Sequence, residues 1–181
     1  MRINVKLTTM KLRHFFLVGP MGSGKSTIGK QLANRLDRPF IDIDCEIESA
    51  AGADIQWIFD MEGEEGFRIR ESKILKHCIN TSEAAVIATG GGIILNKDNR
   101  LLLSCAGQVI YLCTTKQQLY ERLKRDKKRP LLQVEDRRKV VDELFDQRDP
   151  LYREISDIVF TSSSLQVQRT VSELIRQLKD S

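Results

Sequence analysis

The residues best suited to chemistry form a glycine-rich segment, Gly19–Ser26, whose letters G-P-M-G-S-G-K-S match the phosphate-loop pattern G-x-x-x-x-G-K-S. The segment follows a short apolar run and precedes a stretch with helical spacing of apolar residues. Glycines let backbone N–H groups surround phosphate oxygens, and Lys25 can reach the β- and γ-phosphates. The segment therefore predicts binding of ATP or GTP. The expected nucleotide contacts are Gly22, Ser23, Gly24, Lys25, Ser26 and Thr27.

Two carboxylates, Asp42 and Asp44, lie at the carboxyl end of the next predicted strand, Pro39–Ile43. Because ligands bind beyond the carboxyl ends of parallel strands, both are expected at the same rim as the phosphate loop. One could help Ser26 to hold Mg²⁺, and the other could take or orient a proton on a substrate hydroxyl. Capping of the following helix by Asp44 is the alternative interpretation.

Arginines and bare backbone provide candidate contacts for an anionic substrate. Arg68 and Glu71 are spaced i, i+3 on a predicted helix, so Glu71 could hold the guanidinium in a fixed pose. Spacing alone, however, favours a surface ion pair. The triplet Gly90–Gly92 follows the third predicted strand and permits close approach to backbone N–H groups. Arg148, in the segment R-D-P-L-Y that we place after a helix, could reach an anionic ligand.

The densest positive charge lies between Arg122 and Arg129, where six of eight residues are basic. Such a run could bind nucleic acid, but no aromatic residue is interleaved with it. A basic flap that closes over a triphosphate explains the run equally well. We therefore expect a flexible lid at about 124–134 that brings Arg129 to the transferring phosphoryl group and excludes water.

Strands that alternate with helices must position these residues. The five predicted strands are 15–18, 39–43, 86–89, 109–113 and 158–160. Most are apolar throughout rather than alternating, which is typical of a parallel sheet covered by helices on both faces. The sequence therefore predicts an α/β fold of three layers, with ligands at the carboxyl ends of the strands.

Length and composition set the remaining limits. The 181 residues suit one domain, which we place at 12–181 behind a disordered leader at 1–11. The net charge of +4, from 29 basic and 25 acidic residues, gives no general reason to expect a nucleic-acid partner. Because no apolar run is long enough to span a bilayer, we predict a cytoplasmic protein without a membrane partner. We also expect the protein to be a monomer.

The cysteines and histidines carry no metal or nucleophile motif. The four cysteines, Cys45, Cys78, Cys105 and Cys113, form no C-x-x-C pair, and we expect reduced, buried thiols. His77 precedes Cys78 directly, but adjacent residues of a helix point in different directions. Neither residue is therefore a candidate for catalysis.

Taken together, the motifs resemble those of the shikimate kinases in order and approximate spacing. They are G-P-M-G-S-G-K-S-T, D-I-D, E-G-E-E-G-F-R, A-T-G-G-G, K-R-P-L-L and R-D-P-L-Y, between Gly19 and Tyr152. The resemblance implies the P-loop fold of the nucleoside monophosphate kinases. That fold has a parallel sheet of order 2-3-1-4-5, a helical substrate-binding region and a lid.

The resemblance also implies transfer of the γ-phosphoryl group of ATP to the 3-hydroxyl of shikimate, with Mg²⁺, on the route to chorismate and the aromatic amino acids. It places Asp44 at the reacting hydroxyl and Lys25 and Arg129 at the phosphoryl group. The implied shikimate contacts are Asp44, Arg68, Gly90, Gly91, Gly92 and Arg148. The implied Mg²⁺ positions are Ser26 and Asp42, Arg122 lies along the adenine, and an adenine-contacting loop falls near Thr161–Ser164.

Two other functions remain open at this point. A kinase for another small anionic polyol, such as gluconate, would have an equally good phosphate loop, although the glycine triplet and the two arginine motifs argue against it. A non-catalytic ATP-binding module, or a nucleic-acid-associated ATPase using the run at 122–129, would give Asp44 no role.

Overall fold

The computed structural model describes residues 13–124, 136–161 and 166–180, so the predicted leader at 1–11 lies outside the described residues. The strands are β1 (His14–Val18), β2 (Phe40–Asp42), β3 (Val86–Ala88), β4 (Gly107–Cys113) and β5 (Ile158–Thr161). The helices are α1 (Lys25–Leu36), α2 (Ile43–Ala51), α3 (Ile55–Thr81), α4 (Lys97–Ala106), α5 (Lys116–Leu123), α6 (Arg137–Ile155) and α7 (Val167–Asp180). Within the described ranges, no helix is long and apolar enough to cross a membrane.

The five strands form one sheet in the order β2-β3-β1-β4-β5, and every pairing is parallel. The predicted five-stranded parallel sheet and the order implied by the resemblance are therefore confirmed. Strand β1 is central and pairs with β3 on one side and with β4 on the other. The carboxyl end of β1 thus lies at the point where ligands bind in open α/β sheets.

Alternate residues of β1 face two separate cores. Phe16 and Val18 belong to a cluster that helices α2, α3, α4 and α6 cover. Phe15 and Leu17 belong to a second cluster, covered by α1 and α7. Helices therefore lie on both faces of the sheet, which explains why the strand reads as apolar throughout.

Helix α6 is longer than the sequence indicated. We expected a helix at 140–147 with the segment R-D-P-L-Y after it, but α6 continues through Pro150 to Ile155. That expectation was wrong because tertiary packing outweighs the hydrogen bond that proline cannot donate. Tyr152 is buried against Tyr111 of β4, with ring centroids 5.0 Å apart, and this contact anchors the last turns. Arg148 is therefore a helix residue.

Helix α3 consists of two halves that meet at Gly63. This residue has φ 69° and ψ −177°, in the left-handed range that favours glycine. Glu62 and Arg70 form a two-point ion pair across the break, with N–O distances of 2.7 and 2.6 Å. Arg68 and Glu71 both lie in the second half, so the helical spacing expected between them is present.

The cysteines differ in part from expectation. All four thiols are free, but only Cys78 is buried, whereas Cys45 and Cys105 are exposed and Cys113 is half-buried. The prediction of four buried thiols was wrong because Cys45 and Cys105 lie on the solvent sides of α2 and α4. His77 is exposed while its neighbour Cys78 points inward, so these two side chains diverge as expected.

His14, the first residue of β1, is expected to make stability depend on pH. Its Nδ1 accepts a hydrogen bond from the backbone N–H of Ala85 at 3.2 Å. Burial lowers the pKa of His14 from its ordinary value of 6.5, and the charge of Arg38 acts in the same direction. As the pH falls below 6.5, the unfolded chain takes up a proton more readily than the folded chain, so stability is lost.

We expect the free energy of unfolding to decrease more between pH 7.5 and pH 5 for the wild-type protein than for His14→Gln, which keeps an acceptor but does not titrate. Urea denaturation at both pH values measures the difference. His77→Gln, on the exposed face of α3, is the matched control and should follow the wild-type protein. If the free energy of unfolding decreased equally in His14→Gln and the wild type, His14 would not be the source of the pH dependence.

Candidate active site

The phosphate loop connects the end of β1 to the start of α1. Gly22 and Gly24 have φ values of 79° and 93°, at which a side chain is strained, so both positions need glycine. Gly24 caps α1 without a side-chain hydrogen bond. Ser23 Oγ is buried and has no hydrogen-bond partner among the described residues. The loop therefore has the donors that a phosphate anion requires.

Lys25, the first residue of α1, carries its positive charge inside this loop. Its side chain is buried, and its Nζ donates hydrogen bonds to the carbonyl oxygens of Gly19 and Pro20 at 2.8 and 2.9 Å. The carbonyl bonds hold the ammonium group beside the backbone that would surround a phosphate. The predicted lysine is thus in the position that the motif requires.

Ser26 and Asp42 lie side by side next to the loop. Ser26 Oγ donates a hydrogen bond to Asp42 Oδ2 at 2.5 Å. Asp42 Oδ1 accepts a hydrogen bond from the backbone N–H of Asp44 at 3.1 Å and thereby caps α2. The alternative interpretation, in which Asp44 was the cap, was wrong. The strand ends at Asp42, so Ile43 starts the helix instead of ending the strand, and Asp44 lies in the first turn.

A buried carboxylate, Glu71, lies beside Arg68. Glu71 Oε2 accepts a hydrogen bond from Arg68 Nη1 at 2.7 Å, and only 1% of the Glu71 side chain is exposed. Burial raises the pKa of Glu71, Arg68 lowers it, and Asp44 raises it again. Spacing alone favoured an ion pair on the surface. That prediction was wrong, because the sheet and the neighbouring helices cover this carboxylate.

The glycine triplet fits tightly against these side chains. A β-carbon at Gly90 would collide with Glu71 Oε1 and come within 2.9 Å of Asp44 Oδ1. A β-carbon at Gly92 would collide with the guanidinium group of Arg68. Bare backbone at the end of β3 is therefore what allows α2 and α3 to bring these charged groups together.

Arg148 is the second buried cation of the site. Only 4% of the residue is exposed, and its Nε has no hydrogen-bond partner among the described residues. Burial lowers the pKa of Arg148, and the charge of Arg68 acts in the same direction. A desolvated cation with an unpaired donor is unfavourable by itself. The arrangement of Arg68 and Arg148 therefore suits an anionic ligand.

A tyrosine network that sequence reasoning missed holds α6 in place. Tyr111 donates a hydrogen bond to Asp149 Oδ1 at 2.7 Å, and Tyr152 donates one to the carbonyl oxygen of Gly91. Gly91 lies against the phosphate loop, where a β-carbon would come within 3.2 Å of the Met21 backbone nitrogen. The segment R-D-P-L-Y contained Asp149, but its partner lies 38 positions away, beyond any local pattern.

A cleft of about 340 Å³ opens on the other side of the loop. Arg122 of α5 lines this cleft, and its Nη1 donates a hydrogen bond to the carbonyl oxygen of Gly22 at 3.0 Å. Four other predicted nucleotide contacts line it: Gly22, Ser23, Gly24 and Thr27. Sequence reasoning missed the apolar wall of Ile28, Leu112, Phe160 and Val167, because these residues belong to ordinary core segments.

Three predictions fall outside the described part of the chain. Arg129 and residues 125–134 of the expected lid lie there, and so does Ser162–Ser164 of the expected adenine loop. The roles assigned to these residues stay predictions. The described residues bring Asp44, Arg68, Arg148 and the glycine triplet together beside the phosphate loop.

The strand order, the phosphate loop and the adjoining cleft define the class of protein as the P-loop kinases. The sequence model of one family within that class, described as shikimate kinase, matches residues 21–179. The chain belongs to the shikimate kinase family.

Similar proteins agree with this membership. A shikimate kinase from Histophilus somni is 53% identical over 164 residues, which cover 90% of this chain and 93% of the relative. The solved structure of a shikimate kinase from Acinetobacter baumannii in complex with shikimate is 43% identical, covers 96% of both chains and has a TM-score of 0.87. A gluconokinase from Sinorhizobium meliloti covers 94% of this chain at 15% identity with a TM-score of 0.59, which shows the shared fold alone.

The Tyr152 hydroxyl is expected to stabilise the contact between α6 and the glycine triplet. Tyr152→Phe removes the donor to Gly91 while keeping the ring stack, so we expect a loss of about 1 kcal/mol in the free energy of unfolding. Chemical denaturation measures this loss. Tyr120→Phe is the matched control, because its hydroxyl contacts the solvent-accessible Asp142, and it should cost less. A larger loss of unfolding free energy for Tyr120→Phe than for Tyr152→Phe would contradict the stabilising role of the Tyr152 hydroxyl.

Proposed function

We propose that this protein transfers the γ-phosphoryl group of ATP to the 3-hydroxyl of shikimate, which gives shikimate 3-phosphate and ADP. The observation that carries the proposal is the buried Arg148 guanidinium beside the Arg68–Glu71 pair. Two neighbouring guanidinium groups match a small substrate that bears a carboxylate. Family membership and the similar shikimate-bound structure support the same substrate here.

The phosphate loop and Arg122 would bind the nucleotide. In this proposal the backbone donors of the loop and the Lys25 ammonium bind the triphosphate, and the cleft beside Arg122 receives the adenine and ribose. Lys25 neutralises the charge that is shared between the transferred group and ADP. The arginine plane covers the base from one side.

Ser26 and Asp42 have the donor chemistry that Mg²⁺ prefers. The hydroxyl and the carboxylate are both hard oxygen ligands, and their contact of 2.5 Å puts them on one side of the loop. Mg²⁺ binds through one or two protein oxygens together with phosphates and water, so it needs no denser cluster of acids. When bound, the ion would neutralise charge on the β- and γ-phosphates.

Asp44 is the residue that we assign to the reacting hydroxyl. The substrate oxygen forms a bond to the γ-phosphorus, the bond from that phosphorus to the bridging oxygen of ADP breaks, and the hydroxyl proton is transferred to a base. Asp44 would orient the hydroxyl and accept this proton, while Arg68 and Arg148 bind the carboxylate. The bare backbone of Gly90–Gly92 completes the pocket.

The function is tested by ADP release from the intact chain with ATP, Mg²⁺ and one acceptor at a time. We expect turnover with shikimate and none above background with gluconate or single-stranded DNA. Lys25→Ala should lose nearly all turnover while it keeps the fold, because the substitution removes a charge from the phosphate loop. Turnover with gluconate, or ATPase activity stimulated by DNA, would replace the proposal with one of those functions.

Asp44→Asn is expected to lower kcat for shikimate by about 10²-fold or more, because an amide fills the same space but cannot accept the proton. Steady-state kinetics separate this effect from a change in KM. Glu46→Gln, an exposed carboxylate-to-amide change on the same helix, is the matched control and should leave kcat unchanged. If Asp44→Asn raised KM alone, Asp44 would be a binding residue without a role in proton transfer.

A further inference from the structure

Arg68 is shared by two carboxylates of different character. Its Nη1 donates to Glu71 Oε2 at 2.7 Å, and its Nε and Nη2 both donate to Glu64 Oε1, at 3.3 and 3.0 Å. The edge formed by Nε and Nη2 is one of those through which a guanidinium binds a carboxylate with two parallel hydrogen bonds. In this structure, Glu64 occupies that edge.

The two carboxylates differ in how firmly they are held. The Glu71 side chain is 1% exposed, whereas the Glu64 side chain is 48% exposed. Glu64 directly follows Gly63, where the two halves of α3 meet and where no other group lies within 4 Å of a β-carbon position. Glu71 is therefore a fixed partner of Arg68, whereas Glu64 can turn into solvent without disturbing the core.

Glu64 also acts on the second arginine of the site. Burial lowers the pKa of Arg148, and the negative charges of Glu64 and Glu71 each raise it. Glu64 is thus close enough to interact with both guanidinium groups to which we assign the substrate carboxylate. A substrate anion that binds there meets an internal carboxylate on the same cations.

We propose that Glu64 is a displaceable counter-ion of Arg68 that the substrate carboxylate must replace, so that Glu64 limits the affinity for substrate. This inference rests on the proposed function, because it takes shikimate as the anion that binds. Before substrate arrives, Glu64 occupies the Nε and Nη2 donors of Arg68. When substrate binds, its carboxylate takes the Nε and Nη2 donors, and Glu64 turns into solvent.

The size of the effect follows from the exposure of the pair. Ion pairs between solvent-accessible groups contribute little free energy, so loss of the Glu64 contact should tighten substrate binding by about two- to fivefold. The effect should require a carboxylate on the ligand. A ligand that does not compete for the Nε and Nη2 edge gains nothing when Glu64 is removed.

Three variants separate this contact from a general change in charge. Glu64→Gln removes the charge, and Glu64→Asp keeps the charge but shortens the side chain that must span four positions to Arg68. Glu65→Gln is the matched control, since Glu65 is the exposed neighbour on the same turn and forms no ion pair with Arg68. Titration calorimetry gives Kd for shikimate and for its primary carboxamide, and steady-state kinetics give KM.

We expect Glu64→Gln and Glu64→Asp to lower Kd and KM for shikimate, with no matching gain for the carboxamide and no change in Glu65→Gln. If Glu64→Gln and Glu65→Gln lowered Kd for shikimate equally and Glu64→Asp did not, the loss of negative charge in general would explain the effect. That result would overturn the inference. Unchanged or weaker shikimate binding in both Glu64 variants would overturn it as well. If the wild-type protein did not bind or phosphorylate shikimate, the proposed function would fail first, and this inference with it.

Discussion

The buried ion pair between Glu71 and Arg68 is the constraint on which the site depends. A carboxylate that is 1% exposed requires a cation at hydrogen-bond distance, and Arg68 Nη1 provides it at 2.7 Å. The pair leaves no space for side chains at Gly90 and Gly92, so the chain after β3 must be bare backbone. Helix α3 and the end of β3 are thereby held at one separation, next to Asp44.

The same region is tied to the phosphate loop from the other side. Tyr152 contacts the Gly91 carbonyl, and Tyr111 contacts Asp149, so α6 is fixed both to the glycine triplet and to β4. Arg148, one turn before Tyr152 on α6, is buried as a result. The phosphate loop, the glycine triplet and Arg148 therefore belong to one packed unit, so their relative positions are fixed by the fold.

The amino-acid sequence predicted those features that the spacing of residues within a short segment indicates. Gly22, Gly24 and Lys25 follow a fixed spacing, and continuous apolar strands predicted the parallel sheet. The spacing of Arg68 and Glu71 indicated their contact but not their burial, because burial depends on the distant glycine triplet and on the elements that cover it. The course of α6 through Pro150 was missed for the same reason, since packing in the last turns of that helix outweighs a local rule.

The charges around Arg68 and Arg148 favour the replacement of one anion by another over the addition of a further anion. Glu64 and Glu71 already offset the positive charges of Arg68 and Arg148, and Asp44 lies close to Glu71. A further anion would be repelled if every carboxylate stayed. In the exchange that we propose, the substrate carboxylate replaces Glu64, so the number of charges around Arg68 is unchanged and Glu71 keeps its cation.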